Sequence, residues 1–155
     1  MSGRLQKGVI MAVGKESDDK GTPERAEDLA GIPVSAIMTA APATVRERSS
    51  IRSAVKLVIE KKVAGVPVVD DNGRLVGVVS ENDLLLLGAS GRMSLALQHT
   101  RNPDTVTPDT TLKEALIKMI RLKRKWFPVI DNERKVVGVL ARSDILRVLL
   151  EKEHG

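Results

Sequence analysis

An internal repeat constrains the fold of this chain more than any other feature. Residues 34–84 match residues 95–145 at a constant offset of 61 positions, without a gap. Identical residues recur at turn and core positions: Pro42 and Pro103, Thr44-Val45 and Thr105-Val106, Pro67-Val68 and Pro128-Val129, Asp83 and Asp144. Chance similarity does not keep one register across so many positions, so the sequence predicts a duplicated structural unit.

Each copy has the pattern of a small β-α-β-β-α unit. A Thr-Val pair opens it, and an amphipathic helix follows, with apolar residues at helical spacing over 51–58 and 112–120. Two β-branched runs, 65–69 and 75–79, are joined by an Asn-Gly turn, which predicts a β-hairpin. A closing helix is expected from about Asn82 onwards.

Helix capping and size complete the fold prediction. Thr110 or Thr111 is a candidate N-cap for the first helix of the second copy, with Glu114 in its first turn. A unit of about 50 residues buries too little apolar surface to be stable alone. We therefore expect an α/β (α+β) fold in which two repeats pack about a pseudo-twofold axis.

Composition removes several classes of function. The chain has no Cys, which excludes disulfides, thiolate nucleophiles and Cys-based zinc sites. Its two histidines, His99 and His154, are too few to favour a His-rich metal site or a Ser-His-Asp triad. No apolar run approaches the roughly 18 residues that span a bilayer. We expect a soluble, cytoplasmic protein that is not an enzyme and holds no metal.

The net charge of +5 is concentrated in the last third of the chain. Its centre is the basic run Arg121–Lys125. Such a patch attracts nucleic acid, a membrane surface or the phosphates of a small ligand. A solvated helix end is the plainer interpretation of the same run, and composition does not choose between them.

The ordered motifs of both copies resemble the cystathionine β-synthase (CBS) domain, arranged as a stand-alone tandem pair (a Bateman module). The first copy carries the resemblance in Ile37-Met38-Thr39, Gly65-Val66-Pro67-Val68-Val69-Asp70, Leu75-Val76-Gly77-Val78-Val79-Ser80 and Asp83-Leu84. The second carries it in Thr105-Val106, Phe127-Pro128-Val129-Ile130-Asp131, Val136-Val137-Gly138-Val139-Leu140 and Asp144-Ile145.

The resemblance implies a regulatory ligand-binding module with two clefts between the repeats. Such clefts commonly hold AMP, ADP, ATP or S-adenosylmethionine, and such pairs often form disc-like homodimers. The family's ribose-phosphate motif stands intact at 77–83, with Ser80 and Asp83 at its polar positions. A carboxylate suits ribose because it accepts hydrogen bonds from both hydroxyls, and a glycine at Gly77 would let the backbone approach the ligand.

The second copy departs from that motif. Ala141 replaces the hydroxyl residue, whereas Arg142 and Lys125 are placed to hold phosphate. The counterpart of Lys125 in the first copy is Ala64, so the two clefts are not equivalent. Across both copies, the resemblance implies ligand contacts from Thr39, Thr44, Gly65, Val66, Ser80, Asp83, Thr105, Lys125, Trp126, Phe127, Arg142 and Asp144.

Several of these residues also have plainer interpretations. Asp83 and Asp144 could simply stabilise helix N-termini, and the two threonines 44 and 105 could be ordinary strand residues. Trp126 and Phe127 are the only aromatic residues, and adjacent strand residues point to opposite faces. One ring should therefore enter the core while the other faces a cleft or an interface.

The predicted organisation has three parts. Residues 1–33 form an N-terminal extension with a polar, flexible stretch at 14–21 and a short acidic helix from Pro23 to Ala30. Residues 34–90 form the first repeat and residues 91–155 the second. The extension could cover a cleft, mediate assembly or be disordered.

The leading hypothesis is a module that senses an adenine nucleotide or related adenosyl metabolite and signals to a separate effector protein. Ligand binding would act by shifting populations between arrangements of the repeats. Two alternatives remain open: an adaptor that binds proteins without a ligand, and a nucleic-acid-binding protein that uses the basic third. Against nucleic-acid binding, the sequence contains no helix-turn-helix or RNA-binding motif.

Overall fold

The computed structural model describes residues 22–97 and 99–154. The predicted flexible stretch 14–21 lies outside these residues. The chain begins with two 3-10 helices, Glu24–Leu29 and Val34–Ala36. The first repeat contains β1 (Thr39–Ala40), β2 (Val45–Arg46), α1 (Ile51–Lys61), β3 (Gly65–Val69), β4 (Leu75–Ser80) and α2 (Glu81–Ala89). The second contains β5 (Thr100–Arg101), α3 (Leu112–Leu122), β6 (Trp126–Ile130), β7 (Val136–Ala141) and α4 (Arg142–His154).

Two sheets form the centre, one mixed and one antiparallel, and each is completed by a strand from the other repeat. One sheet has the order β2-β3-β4-β5 and the other β1-β7-β6. Strand β1 pairs antiparallel with β7, whereas β5 pairs antiparallel with β4. The duplicated α/β fold is confirmed. The exchange of these two short strands is a feature that the repeat pattern did not predict.

The exchanged strands explain two glycines. Gly77 lies in β4, and a Cβ there would collide with the His99 ring and the Thr100 carbonyl oxygen. Gly138 lies in β7, where a Cβ would collide with the side chain of Met38. The interpretation of Gly77 as a ligand-approach position is therefore wrong, because the space above it holds the crossing strand of the other repeat.

The pseudo-twofold relationship extends to the hairpin turns. Leu75 N–H donates to the Arg134 carbonyl oxygen at 2.9 Å, and Val136 N–H donates to the Gly73 carbonyl oxygen at 3.3 Å. Positions 75 and 136, and 73 and 134, are equivalent in the two repeats. The two hairpins are thus joined by a matched pair of backbone hydrogen bonds beside the axis.

Local sequence explains the helix ends. Thr111 is the N-cap of α3 and shares a capping box with Glu114, which confirms one of the two predicted candidates. Ser50 caps α1 by accepting a hydrogen bond from Ser53 N–H. Both helices end at a lysine in the left-handed conformation, Lys62 with φ 54° and Lys123 with φ 55°.

Each repeat has its own apolar core, and the N-terminal segment belongs to the second. Leu29 and Val34 are fully buried among residues of the second repeat such as Leu112 and Phe127. Glu27 forms an ion pair with Lys113 of α3. The acidic helix predicted over Pro23–Ala30 is a 3-10 helix over Glu24–Leu29.

Candidate functional site

Two clefts related by the pseudo-twofold lie between the repeats. The larger, of about 570 Å³, is lined by the segments 39–43, 61–67 and 139–144 together with Lys125 and Trp126. We call it the large cleft. The smaller, of about 210 Å³, is lined mainly by the equivalent segments 78–82, 103–104 and 123–128. We call it the small cleft.

Four cationic side chains line the large cleft. Lys61 and Lys62 come from the end of α1, Lys125 from the turn before β6, and Arg142 from the start of α4. All four are exposed, and none belongs to an ion pair within the described residues 22–97 and 99–154. Their charges are therefore free to attract an anion.

Asp144 is the one carboxylate among the described lining residues of the large cleft, and it is 8 % exposed. Its Oδ2 accepts a hydrogen bond from Ala141 N–H at 2.8 Å, and its Oδ1 lies 3.3 Å from Arg147 Nη1. These contacts fix the orientation of the carboxylate. Each oxygen can still accept a further hydrogen bond, which is the property that a ribose diol needs.

The small cleft differs in charge and in space. Asp104 and Arg124 form an ion pair in its wall, with the guanidinium Nε 2.8 Å from the carboxylate. The equivalent positions in the large cleft hold Ala43 and Val63. Because two charged side chains stand where the large cleft has two short apolar ones, the small cleft has less room. Its lining is also less positive, since Glu81 stands where the large cleft has Arg142.

In the intact motif of the first copy, the two polar residues Ser80 and Asp83 form hydrogen bonds with each other. Asp83 Oδ2 accepts hydrogen bonds from Ser80 N–H at 3.1 Å and from the Ser80 hydroxyl at 2.8 Å. The Ser80 oxygen in turn accepts from Asp83 N–H, so the two residues form the capping box of α2. Ser80 lines the small cleft, whereas Asp83 lies outside its lining.

Trp126 lines both clefts and lies against Gly65. A Cβ at position 65 would stand 2.7 Å from Trp126 Cζ2, so only a glycine leaves room for the ring there. The next residue, Phe127, is fully buried in the core of the second repeat, under Lys118. The alternation of the two rings was correctly predicted.

Three predicted contact residues lie apart from the linings of the two clefts. The Phe127 side chain is fully buried in the core, because it points to the opposite face of β6 from Trp126. Thr44 precedes β2 and is in neither lining. Thr105 lies in a separate depression along α3, where its carbonyl oxygen accepts a hydrogen bond from Lys118 Nζ.

Seven of the predicted residues meet in the large cleft: Thr39, Gly65, Val66, Lys125, Trp126, Arg142 and Asp144. Sequence reasoning missed Lys61 and Lys62, which the left-handed turn after α1 carries into the same cleft. The recurrence of Lys62 as Lys123 was the available signal, but a lysine after a helix is common on any protein surface.

No cluster of three or more His, Cys, Asp or Glu residues in residues 22–97 and 99–154 is arranged to hold a metal ion. Among the same residues, no helix combines the length and the apolar character that crossing a membrane requires.

Comparison with solved structures finds close likeness over most of the chain. The structure of CBSX2 in complex with AMP is 33 % identical, with a TM-score of 0.70, and covers 79 % of this chain and 99 % of that one. The CBS domain pair of protein MJ0100, in complex with 5′-methylthioadenosine and S-adenosyl-L-methionine, is 31 % identical with a TM-score of 0.71. That match covers 77 % of this chain and 97 % of the other.

Sequence comparison gives the same relationship. The chloroplastic CBS domain-containing protein CBSX2 of Arabidopsis thaliana is 33 % identical over 138 residues, covering 69 % of this chain and 58 % of that protein. L-aspartate semialdehyde sulfurtransferase of Methanocaldococcus jannaschii is 31 % identical over 112 residues, 72 % of this chain but 22 % of that protein. This chain therefore spans between about a fifth and about three fifths of these curated relatives.

The CBS domain model matches the chain twice, at residues 34–89 and 96–151. These two ranges carry the duplicated motifs, the two sheets and the clefts between them. The chain therefore belongs to the CBS domain family, as a tandem CBS pair.

Proposed function

We propose that this chain is a regulatory module that binds an adenosyl ligand in the large cleft and passes the signal to a separate effector protein. The observation that carries the proposal is the convergence of Trp126, Asp144 and four unpaired cations in one cleft between the repeats. The AMP complex of CBSX2 and the methylthioadenosine and S-adenosylmethionine complex of MJ0100 support the choice of ligand class.

The cleft has the dimensions and the chemistry for such a ligand. Its volume of about 570 Å³ lies within the range of small-molecule pockets. In our proposal Trp126 stacks on the adenine, because an indole offers a large flat apolar surface. Asp144 accepts hydrogen bonds from the ribose, and Arg142 and Lys125 hold phosphate. Thr39, Gly65 and Val66 form the remaining wall.

A regulatory effect follows from where the ligand would lie. Segments 39–43 and 61–67 belong to the first repeat, and segment 139–144 belongs to the second. A ligand that contacts all three lowers the free energy of the arrangement that brings them together and shifts the population towards it. An effector that recognises this arrangement would then respond to the ligand.

Assembly into a homodimer is part of the proposal. Leu85 and Leu86 of α2 and Leu146 and Leu150 of α4 are all more than half exposed. Exposed apolar residues on two helices are typical of an association surface. The small cleft, which Ser80 lines, is proposed as a secondary ligand site of lower affinity.

Thermal unfolding tests the proposal, with the purified chain at about 0.15 M salt and a panel of AMP, ADP, ATP and S-adenosylmethionine. A ligand present at about 100 times its dissociation constant stabilises a protein by roughly 2.7 kcal/mol, a shift of several degrees. We expect at least one member of the panel to give that shift. No shift with any of them would contradict the proposal and favour an adaptor without a ligand.

A pair of variants assigns the site. We expect Asp144→Asn to weaken binding by about tenfold or more, since it removes charge-assisted acceptors from the large cleft. Asp83→Asn, at the equivalent position outside the small cleft, should have a smaller effect. Asparagine keeps the shape and the capping ability of aspartate. Equal losses would mean that the ligand does not use the large cleft.

A further inference from the structure

The electrostatic character of the large cleft carries an inference about the ligand that the relatives do not supply. Lys61, Lys62, Lys125 and Arg142 face a cleft whose one described carboxylate, Asp144, already has a cationic neighbour in Arg147. The excess of positive charge is therefore not neutralised within the described residues. A single phosphate on a ligand would leave part of it unmatched.

Comparison of equivalent positions locates the difference between the clefts. Arg142 in the large cleft corresponds to Glu81 in the small cleft, and Lys61 corresponds to Leu122. Both differences make the large cleft more positive than its partner. Asp104 and Arg124 of the small cleft correspond to Ala43 and Val63, and their opposite charges cancel. The asymmetry therefore concerns charge and not only volume.

The sources of the cations favour an extended anion over a compact one. Lys61 and Lys62 are carried by the end of α1, Arg142 by the start of α4, and Lys125 by the turn before β6. Three separate elements thus supply positive charge around one opening. A chain of two or three phosphates carries more negative charge than one phosphate and extends further across that opening.

We propose that the large cleft selects a nucleoside diphosphate or triphosphate over a nucleoside monophosphate and over a sulfonium ligand. Each added phosphate increases the attraction to the four cations. A sulfonium centre carries positive charge and is repelled by them. This inference rests on the proposed function, since the nucleoside is held by Trp126 and Asp144 in the same cleft.

The test is a fluorescence titration of the full chain with adenosine, AMP, ADP, ATP and S-adenosylmethionine. Trp126 is the only tryptophan of the chain and lines both clefts, so its emission reports ligand binding in either one, and the variants below assign the cleft. The buffer contains no divalent cations, which keeps the phosphate charge unshielded. We expect affinity to rise with the number of phosphates, with ATP binding about tenfold or more tightly than AMP. That preference should shrink as salt is raised.

Lys62 and Lys123 provide a matched pair of variants. Both residues end a helix with a left-handed φ, of 54° and 55°, and asparagine tolerates that conformation. Lys62→Asn should reduce the preference for ATP over AMP by about threefold or more. Lys123→Asn, which changes the equivalent residue at the small cleft, should reduce that preference less than Lys62→Asn does.

The outcomes separate the two proposals. AMP or S-adenosylmethionine binding as tightly as ATP would overturn the phosphate selectivity while leaving an adenosyl-binding module in place. An equal effect of the two lysine variants would also overturn it, because selectivity would then not arise in the large cleft. Failure of every compound to alter Trp126 emission or thermal stability would overturn the proposed function itself.

Discussion

Gly65 and Trp126 occupy equivalent positions in the two repeats and lie against each other, with 2.7 Å between Trp126 Cζ2 and the site of a Cβ on residue 65. Equivalent residues that touch must lie beside the axis that relates the repeats. The first repeat has a glycine at this position, and the indole ring of Trp126 from the second repeat occupies the space that a side chain there would need. The pair sets the boundary between the two clefts.

Gly65→Ala should therefore destabilise the protein. The new methyl group would lie 2.7 Å from both the indole and the Val79 carbonyl oxygen, and a backbone atom cannot move away at low cost. Overpacking of this kind costs about 1–3 kcal/mol. Urea unfolding followed by Trp126 fluorescence measures the loss. Gly31→Ala is the control, because nothing lies within 4 Å of its Cβ position. Equal stability of the two variants would contradict the close packing.

The two crossing strands predict a ranking of glycine substitutions. At Gly77 a Cβ meets the backbone carbonyl oxygen of Thr100 and the His99 ring, whereas at Gly138 its nearest contact is the flexible side chain of Met38. We expect Gly77→Ala to lower the free energy of unfolding more than Gly138→Ala does, because a thioether can rotate away and a backbone carbonyl cannot. Chemical denaturation of both variants checks the order. The reverse order would mean that β5 yields more easily than β1.

The N-terminal 3-10 helix should be required for a stable second repeat. Leu29 is fully buried in that core, and removing a buried leucine side chain costs about 2–5 kcal/mol. Leu29→Ala should lower the midpoint of thermal unfolding by several degrees. Leu95→Ala is the comparison, since Leu95 is 54 % exposed. A Leu29→Ala protein as stable as the Leu95→Ala protein would show that the segment does not support the core.

The capping box of α3 predicts one source of pH dependence. Thr111 donates hydrogen bonds to the Glu114 carboxylate from its backbone N–H at 3.1 Å and from its hydroxyl at 3.0 Å, and these lower the pKa of Glu114. Since the folded pKa is below the unfolded one, the stabilisation is present above the unfolded pKa and is lost as pH falls through the folded pKa.

Glu114→Gln isolates this contribution, because glutamine keeps the capping geometry without the charge. Wild type should unfold at a higher temperature than the variant near neutral pH. The difference should disappear on acidification to about pH 3. Glu60→Gln, which changes an exposed acid on α1, is the control for the loss of one negative charge. A constant difference between wild type and Glu114→Gln at all pH values would contradict the assignment.

Much of this architecture was predictable because it is encoded locally. The repeat at an offset of 61 residues indicated two copies, and the residue patterns of each copy indicated its helices and its hairpin. Thr111 was a recognisable cap because Glu114 follows it at the spacing of a capping box. The opposite orientations of Trp126 and Phe127 followed from the alternation of side chains along a strand.

Other features depend on which distant residues meet, and no local pattern encodes that. The repeat pattern says that each copy has an opening strand, but the pairing of β1 with β7 and of β5 with β4 arises only when both copies fold together. That exchange packs residues 99 and 100 against Gly77, so the absence of a side chain there is required by packing.

The sequence by itself determined the duplication and the family resemblance, and it identified seven of the residues that line the large cleft. Tertiary structure decided that Lys61 and Lys62 join Lys125 and Arg142 there, and that Asp104 and Arg124 narrow the opposite cleft. The physical reason is that helix caps and strand alternation act between near neighbours in the chain. The charge of a cleft, in contrast, is the sum over segments that only the packing of the two repeats brings together.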